Sequence, residues 1–324
     1  MYFPEYRPRR MRSSPLLRNM VKETNVSPKD LVMPYFVVEG KNIRKEIQSL
    51  PGQFYLSIDK LINEVKEIET FGIPAIILFG IPDKKDNLGE NAYKDDGIIQ
   101  KACRHLKENT KNLVIITDVC LCGYTKNRHC GIVKEGKIVN DETLPILAKI
   151  AISHAKAGSD IIAPSDMMDG RIGYIRRALD DCGYENIPIL SYSVKYASSL
   201  YTPFRYAVDC APTSGDKTTY QMDISNSNEA LREVAQDIKE GADIVMVKPA
   251  LPYLDIIYRI KEEFKWSVCA FNVSGEYVMI KSASYMNFID EKKVVKEILT
   301  AIKRAGSDII ITYFAKEYAK EFSG

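Results

Sequence analysis

The 324-residue chain carries little net charge and has no long hydrophobic run. Its 45 basic and 43 acidic residues leave a formal net charge of +2, so no general electrostatic argument favours binding to nucleic acid or to a membrane surface. No apolar stretch approaches the roughly 20 residues that cross a bilayer, and residues 1–10 lack the apolar core of a signal peptide. We therefore expect a cytoplasmic protein that binds neither nucleic acid nor membranes.

The sequence also lacks a segment rich in glycine, proline or serine that would separate two domains. Its apolar content of 45% and charged content of 27% are those of a globular protein. We predict a single domain, residues 1–324, in which residues 1–24 form an N-terminal arm and first helix and residues 25–324 form the body. A basic cluster in residues 7–12 is interpreted as part of this arm, either solvated or packed on a neighbouring subunit.

Short apolar runs alternate with amphipathic segments along the whole chain, which predicts alternating strands and helices. The predicted strands are residues 31–37, 74–79, 113–119, 160–163, 188–192, 243–247, 267–272 and 308–313. Helical periodicity is found in residues 56–71, 144–157, 228–240 and 291–305. Three helices end at Gly158, Gly241 or Gly306, each followed at once by a strand, as expected where a left-handed glycine ends a helix. Eight such units predict an α/β protein whose parallel strands close into a (β/α)8 TIM barrel rather than an open sheet.

Three of the seven cysteines, Cys120, Cys122 and Cys130, follow directly on the third predicted strand. A structural zinc usually takes four protein ligands, whereas three leave a position open for water or substrate. The alternatives are that these thiols are small buried side chains or loop residues without a role. Disulfide pairing is less favoured, because nothing else in the sequence indicates an oxidising compartment. The pattern indicates a reduced protein with one concentrated thiolate site.

Two lysines, Lys195 and Lys248, lie at the ends of the fifth and sixth predicted strands. Each could be a lysine whose charged end reaches water at the barrel rim. Neighbouring strands lie about 4.8 Å apart, however, so two adjacent ammonium groups would repel each other. Together with apolar walls, this repulsion predicts a lowered pKa for at least one of them. If the lysine pKa is lower by about 3, the neutral amine is favoured by roughly 4 kcal/mol. The neutral amine is the form that attacks ketones.

Other reactive side chains follow the predicted strands, and in barrels of this kind the active site lies at the C-terminal strand ends. They are Cys120, Ser165, Asp166, Ser274 and Tyr313. The long segment 196–222, between the fifth and sixth strands, carries Arg205 and Lys217 and is interpreted as a lid over a carboxylate-bearing substrate. The alternative is a solvated loop with ordinary charges.

Four segments of the sequence resemble the porphobilinogen synthase family, also called 5-aminolevulinate dehydratase. They are residues 163–171 (APSDMMDGR), the segment around Lys195, residues 246–255 (MVKPALPYLD) and residues 273–277 (VSGEY). The similarity extends from the basic cluster to the last strand. It implies a lyase of tetrapyrrole (heme) biosynthesis that condenses two 5-aminolevulinate molecules to porphobilinogen with loss of two waters.

The resemblance also implies roles for individual residues. Lys248 would form the Schiff base with the substrate that becomes the propionate side of the pyrrole, and Lys195 with the one that becomes the acetate side. The implied substrate-binding residues are Ser274 and Tyr313 for the first carboxylate, Arg205 and Lys217 for the second, Gln221 in the same lid, and Asp118 and Ser165 near the first amino group. Zinc on Cys120, Cys122 and Cys130 would polarise the second substrate as a Lewis acid.

The sequence departs from the family pattern at a few positions. Lys217 stands where the family usually has arginine, and lysine lacks the planar fork that binds a carboxylate through two hydrogen bonds. Glu233 matches a position that binds an activating magnesium in some members, although a helix glutamate is often simply solvated. The resemblance implies a homo-octamer with wrapped N-terminal arms, but only six residues precede Arg7.

Two competing interpretations remain at this stage. Another Schiff-base barrel, such as an aldolase acting on a sugar phosphate, would need a phosphate-binding loop late in the barrel, and the stretch after Tyr313 has no glycine-rich turn. A binding protein with a structural zinc clasp would leave Lys195 and Lys248 unexplained.

Overall fold

A computed structural model describes residues 5–321. The strands are β1 Leu31–Val38, β2 Arg44–Ile47, β3 Leu50–Leu56, β4 Ala75–Ile81, β5 Val114–Val119, β6 Ile132–Lys134, β7 Lys137–Val139, β8 Ile161–Pro164, β9 Leu190–Lys195, β10 Ile244–Lys248, β11 Ser267–Asn272 and β12 Ile309–Thr312. The α-helices are α1 Pro15–Met20, α2 Ile58–Thr70, α3 Ile98–Asn109, α4 Asn140–Lys156, α5 Arg171–Asp181, α6 Thr202–Ala207, α7 Asn228–Glu240, α8 Leu254–Phe264, α9 Ser274–Tyr285, α10 Glu291–Arg304 and α11 Ala315–Lys320.

Eight parallel strands form the barrel in the order β8, β5, β4, β1, β12, β11, β10, β9. They are the eight strands predicted from the apolar runs, each within three residues at either end. Parallel strands buried on both faces need a layer of helices outside, and the amphipathic helices between the strands supply it. The prediction of a (β/α)8 barrel is therefore confirmed.

The barrel closes between β8 and β9 through a narrow seam. A single parallel bridge joins Ile162 to Ile189 there, and the Ile162 amide donates to the Pro188 carbonyl at 3.1 Å. By contrast, β1 and β4 pair continuously from Val32 to Val38 on the first strand. The eight strands therefore form a ring, but some neighbouring strands are paired along many residues and others along very few.

The repeated Gly-X-Asp phrase has a structural role at the start of three strands. Gly158, Gly241 and Gly306 have φ angles of +101°, +107° and +116°, which confirms that each ends its helix in the left-handed region. The aspartate two residues later then accepts a backbone amide within one residue of the start of the preceding strand in the barrel. The amides of Ile115, Ile189 and Val268 donate in this way to Asp160, Asp243 and Asp308, each at 2.8 Å.

Two β-hairpins were not predicted. Strands β2 and β3 form one beside β1, and β6 and β7 form the other within the segment that follows the thiols. Residues 5–25 include no buried residue, and residues 1–4 of the predicted arm lie outside the described part, so the arm stays a prediction. Among residues 5–321, no helix has both the length and the apolar character needed to cross a membrane.

Candidate active site

A cavity opens at the C-terminal ends of the barrel strands, where residues predicted to be reactive meet. Its lining includes Asp118, Cys120, Cys122, Ser165, Lys195, Arg205, Cys210, Lys217, Gln221 and Lys248. These side chains come from β5, β9 and β10, from the loops after β5 and β8, and from the lid segment 196–222. The structure thus brings together most of the residues that the sequence nominated for the site.

Lys195 and Lys248 are the last residues of adjacent strands and are directly paired in register. Both side chains are buried, with 7% and 6% of their surfaces exposed. Each lies within its strand rather than after it, because β9 continues three residues and β10 one residue beyond the predicted end. The two amines therefore share one cavity in which both are largely shielded from solvent.

Lys248 is surrounded by aromatic rings. Its Nζ lies 4.2 Å from the ring centre of Phe271, 5.0 Å from that of Tyr192, 5.3 Å from Phe204 and 5.4 Å from Tyr201. No residue between 5 and 321 makes a hydrogen bond to this Nζ. Burial, reinforced by repulsion from Lys195, lowers the pKa of Lys248 to about 7. A substantial fraction of this amine is therefore neutral near pH 7.

Lys195 has a more polar environment on the other side of the shared space. Its Nζ donates to the backbone carbonyl of Ser165 across the β8–β9 seam. Asp118, at the end of β5, faces the same region, and burial raises its pKa to about 6 against the opposing effects of Lys195 and the Ser165 hydroxyl. A carboxyl group of this kind can take up or release a proton close to neutral pH.

The three predicted metal ligands converge. The Sγ atoms of Cys120, Cys122 and Cys130 lie within 4.8 Å of one another, and those of Cys120 and Cys122 are 3.4 Å apart. All the cysteines in the described residues are free thiols. Thiolates are the ligands that zinc and other soft metals prefer, whereas magnesium prefers oxygen. The donor set thus fits a soft or borderline metal held by three ligands.

A cation compensates the charge of this cluster. Lys217 is buried, and its Nζ donates to Cys130 Sγ at 3.3 Å. Hydrogen bonds from Cys120, Cys130 and Cys210 hold the pKa of Cys122 well below its usual range. Burial alone would lower the pKa of Lys217, but the neighbouring thiolates raise it well above its usual value. Hydrogen bonding to Cys122 also holds the pKa of Cys120 well above its usual range. The site therefore favours one thiolate, that of Cys122, close to an ammonium group.

Two further lid residues, Arg205 and Gln221, also line the cavity. Arg205 is half-buried, with its guanidinium carbon 5.8 Å from the centre of the Tyr201 ring. Gln221 is buried, and its amide oxygen has no hydrogen-bond partner among residues 5–321. Together with Lys217, these groups offer two cations and a free acceptor to a polar ligand.

Ser274 and Tyr313 do not line this cavity and lie beyond the aromatic rings around Lys248. The Ser274 hydroxyl accepts from the Phe204 amide and donates to the Leu200 carbonyl, both at 3.1 Å. The Tyr313 ring lies 6.1 Å from that of Phe271, and its buried hydroxyl has no partner within the described chain. Each of the two side chains is therefore separated in space from Lys248 by only one aromatic residue.

Glu233 lies apart from the lysines and thiols. It is half-buried on α7 and lines a surface depression with Asn140 and Asp169. Burial raises its pKa to about 6, and Arg171 opposes the rise. The structure does not bring this residue into the cavity.

The sequence did not identify several residues that shape the site. The rings around Lys248 belong to runs that were interpreted only as core or lid. Glu276 belongs to a recognised segment, but no role was assigned to it. Its carboxylate accepts from the amides of Leu251 and Val273, both at 2.6 Å, and so joins the loop after Lys248 to the end of β11. Nothing in the sequence indicated Cys210 as a site residue, since it lies far along the chain from the other thiols.

Comparisons with known proteins agree with this geometry. The family model described as delta-aminolevulinic acid dehydratase matches residues 5–321. Proteins of that name from Methanothermus sociabilis and Bacillus subtilis are 56% and 52% identical to this chain. The first comparison covers 99% of the chain and 100% of the relative, and the second covers 97% of each.

The fold is also similar to a crystal structure of delta-aminolevulinic acid dehydratase (porphobilinogen synthase) from Toxoplasma gondii in complex with the reaction product porphobilinogen. That comparison has a TM-score of 0.96 and 46% identity, and it covers 98% of this chain and 92% of the other. Family model, relatives and structure agree over nearly the whole length. The chain therefore belongs to the delta-aminolevulinic acid dehydratase family.

Proposed function

We propose that this protein is a porphobilinogen synthase, which condenses two molecules of 5-aminolevulinate to porphobilinogen with loss of two waters. The observation that carries the proposal is the pairing of Lys195 with Lys248 in register, both buried in a cavity that also contains the thiols. Two amines beside each other can hold two ketones beside each other. Family membership supports the same reaction.

Lys248 is the residue we assign to the first Schiff base. Its amine attacks the substrate ketone, the ketone oxygen leaves as water, and a carbon–nitrogen double bond remains. Because its pKa is near 7, the nucleophilic neutral form is available without an external base. The aromatic rings around Nζ also stabilise the cationic iminium form, since their faces attract positive charge.

Lys195 is assigned to the second substrate. Its Nζ is held by the Ser165 carbonyl, which directs the amine toward the space shared with Lys248. Asp118 lies close enough to affect both lysines, and its pKa near 6 suits it to hold a proton during imine formation and to return it later. Asp118 and Ser165 are proposed to contact the first amino group.

The substrate carboxylates are proposed to bind on opposite sides of the two lysines. Arg205 and Lys217 place two cations on the lid side of the cavity, and the Gln221 side chain beside them can donate to a carboxylate only through its NH2 group. Ser274 and Tyr313 serve the other carboxylate, and the unpaired Tyr313 hydroxyl supports that assignment. Binding there requires the Ser274 hydroxyl to exchange a backbone partner for the substrate.

Zinc is the metal we propose for Cys120, Cys122 and Cys130. The convergence of three thiols supports it, because a three-ligand site retains an open position. When bound, zinc supplies Lewis-acid polarisation of the second substrate. Magnesium at Glu233 remains a separate proposal, supported by the neighbouring oxygen donors Asn140 and Asp169 in the same depression.

Assembly and location extend the same proposal. We propose a cytoplasmic homo-octamer in which the N-terminal arm packs on a neighbouring subunit. Tyr6, Leu16 and Met20 support the packing, because each has more than three quarters of its surface exposed in the single chain. Light scattering of the purified protein tests the octamer, and a monomeric mass would contradict it.

Borohydride trapping tests the lysine assignments. The full-length protein is incubated with 5-aminolevulinate, reduced with borohydride and analysed by intact mass and peptide mapping. We expect one substrate adduct on Lys248, its loss in Lys248→Ala, and wild-type labelling in Lys239→Ala, which changes an exposed lysine on α7. An unlabelled wild-type protein would contradict Schiff-base chemistry.

Metal removal tests the thiol assignment. We expect dialysis against a chelator to abolish pyrrole formation in a colour assay and added zinc to restore it. Cys122→Ala should lose activity while retaining its melting transition, and Cys182→Ala, which changes an exposed cysteine, should match the wild type. Full turnover by the metal-free protein would remove zinc from the proposed mechanism.

A further inference from the structure

A fourth cysteine, Cys210, faces the thiol cluster from the lid. Its side chain lines the same cavity as Cys120 and Cys122, and only 2% of its surface is exposed. It lies outside the set of Sγ atoms that are mutually within 4.8 Å. It nevertheless interacts directly with Cys122, to which its thiol donates a hydrogen bond. Cys210 thus contacts the cluster through Cys122 but does not belong to the group of three converging thiols.

The position of Cys210 is fixed by contacts on both sides of it in the chain. Before it, the Asp209 carboxylate pairs with the Arg128 guanidinium at 2.8 Å. After it, the Thr213 amide donates to the Asn127 carbonyl at 3.3 Å. Both partners belong to the loop that joins Cys122 to Cys130. The lid segment that carries Cys210 is therefore bound directly to the loop that carries the thiols.

The charge balance of the site also accommodates another thiolate. Three thiolates on a divalent metal leave a net charge of −1, and a fourth would make it −2. Lys217 already contacts Cys130 at 3.3 Å, and Arg205 lines the same cavity. One cation thus contacts the cluster and a second lines its cavity. Zinc closed by protein ligands is usually held by four of them, so Cys210 beside the three thiols would bring the ligand set to that number.

We propose that Cys210 is an exchangeable fourth ligand, which closes the coordination sphere of the metal when no substrate is bound and leaves it when the second substrate arrives. The inference rests on the proposed metal site at Cys120, Cys122 and Cys130. In the exchange, Cys210 would release the metal and the substrate amino group would occupy the position that Cys210 leaves. The proton lost from the substrate ammonium group passes to the Cys210 thiolate, so charge is conserved.

Cobalt substitution tests this ligand without measuring activity. The intensity of the sulfur-to-cobalt charge-transfer absorption reports how many thiolates bind the metal. We expect the Cys210→Ser and Cys210→Ala proteins to lose about a quarter of the wild-type intensity, because one thiolate of four is removed. The matched control is Cys182→Ser, an exposed cysteine outside the cavity, which should keep the full intensity.

Adding 5-aminolevulinate to the cobalt-loaded wild-type protein provides a second test, which needs no variant. The wild-type intensity should fall by about the same quarter on substrate binding. The Cys210→Ser intensity should not change, because its fourth position is already free of sulfur. Equal intensities for the wild type and Cys210→Ser without substrate would overturn the proposal, as would a wild-type intensity that does not respond to bound substrate.

Zinc affinity separates this inference from the proposed function. In competition with a chromophoric chelator, we expect Cys210→Ser to bind zinc about tenfold more weakly and Cys130→Ser to lose tight binding altogether. Unchanged affinity in Cys210→Ser with loss in Cys130→Ser would reject the fourth ligand but retain the metal site. Unchanged affinity in both would reject the metal site itself.

Discussion

Lys248 acquires its reactivity mainly from its surroundings. Burial is the larger cause of its lowered pKa, and repulsion from Lys195 is the second. The sequence placed two lysines side by side, which indicates the repulsion but not the rings of Tyr192 and Phe271 that exclude water. An amine in such a place costs stability when it is protonated. This cost can be measured independently of catalysis.

The first prediction concerns the stability of Lys248→Met. In the folded protein the Lys248 pKa is about 7, against 10.5 for an ordinary lysine, so between these values the unfolded chain binds more protons. Wild-type stability should therefore rise with pH across this window, and the full penalty, roughly 5 kcal/mol at most, applies below pH 7. We expect Lys248→Met to be the more stable protein at pH 6 in urea unfolding, with an advantage that shrinks toward pH 10. A pH-independent difference would contradict the buried-amine account.

Lys217 supports a second prediction, based on its dual contact with the thiols and the cavity. Arginine can bind a carboxylate through two parallel hydrogen bonds, which lysine cannot do. We expect Lys217→Arg in the zinc-loaded protein to keep or lower the KM for 5-aminolevulinate, and Lys217→Gln to raise it about tenfold. Steady-state kinetics with Lys239→Gln as the surface control checks this. A severe loss of affinity in Lys217→Arg would count against the carboxylate assignment.

At the scale of elements, the same short motif, Gly-X-Asp, has the same structural role in three helix-to-strand loops. The glycine ends the helix and the following aspartate accepts a strand amide. Asp160 and Asp308 also pair with Lys107 and Lys261 at 2.6 and 2.7 Å. These contacts pin the N-terminal ends of the strands, opposite the active site.

The third prediction tests this arrangement. Replacing Asp160, Asp243 or Asp308 by alanine should lower the free energy of unfolding by about 1 kcal/mol each, because each change leaves a strand amide without its acceptor. The triple variant should lose about 3 kcal/mol, since the three positions are far apart. The matching asparagine variants keep an acceptor oxygen and should lose less. Denaturant unfolding measures both sets, and equal losses would show that the hydrogen bond is not the cause.

The sequence predicts the barrel elements well because their pattern is local. Strand β11 has an apolar run, residues 268–271, at its centre and can be predicted without knowing its neighbours, and its predicted limits match the structure. The hairpin strand Arg44–Ile47 is short, charged and mostly exposed, so its apolar periodicity is too weak to indicate a strand. It forms because β3 and β1 offer it a paired edge, which is a property of the tertiary structure.

At the scale of the whole molecule, the same distinction applies to the site. The lysines and the three thiols could be predicted because strand ends in a barrel share one rim. The aromatic surroundings of Lys248 and the approach of Cys210 depend on contacts between residues far apart in the chain. Nothing in the residue types of these side chains indicates from the sequence alone that they approach the site. The roles of the individual site residues stay predictions until the experiments above are done.

The fourth prediction concerns the seam between β8 and β9. Since a single bridge holds these strands together, the seam should open more readily than the continuous β1–β4 pairing. We expect the Ile162 amide to exchange its hydrogen at least about tenfold faster than the amides of β4 in native-state exchange. Substrate should slow it, because Lys195 and Ser165 meet across this seam. Uniform protection around the ring would contradict the prediction.

The uneven pairing also divides the barrel into two half-sheets. Strands β8, β5, β4 and β1 form one half and β12, β11, β10 and β9 the other, and β1 joins β12 only through Leu31 with Ile310 and Val32 with Ile311. The three thiols belong to the first half and both lysines to the second. A chain cut at the exposed residues 185–186 would yield one fragment with the three proposed metal ligands and another with the two proposed Schiff-base lysines. Pyrrole synthesis then becomes a direct signal that the two fragments have reassembled.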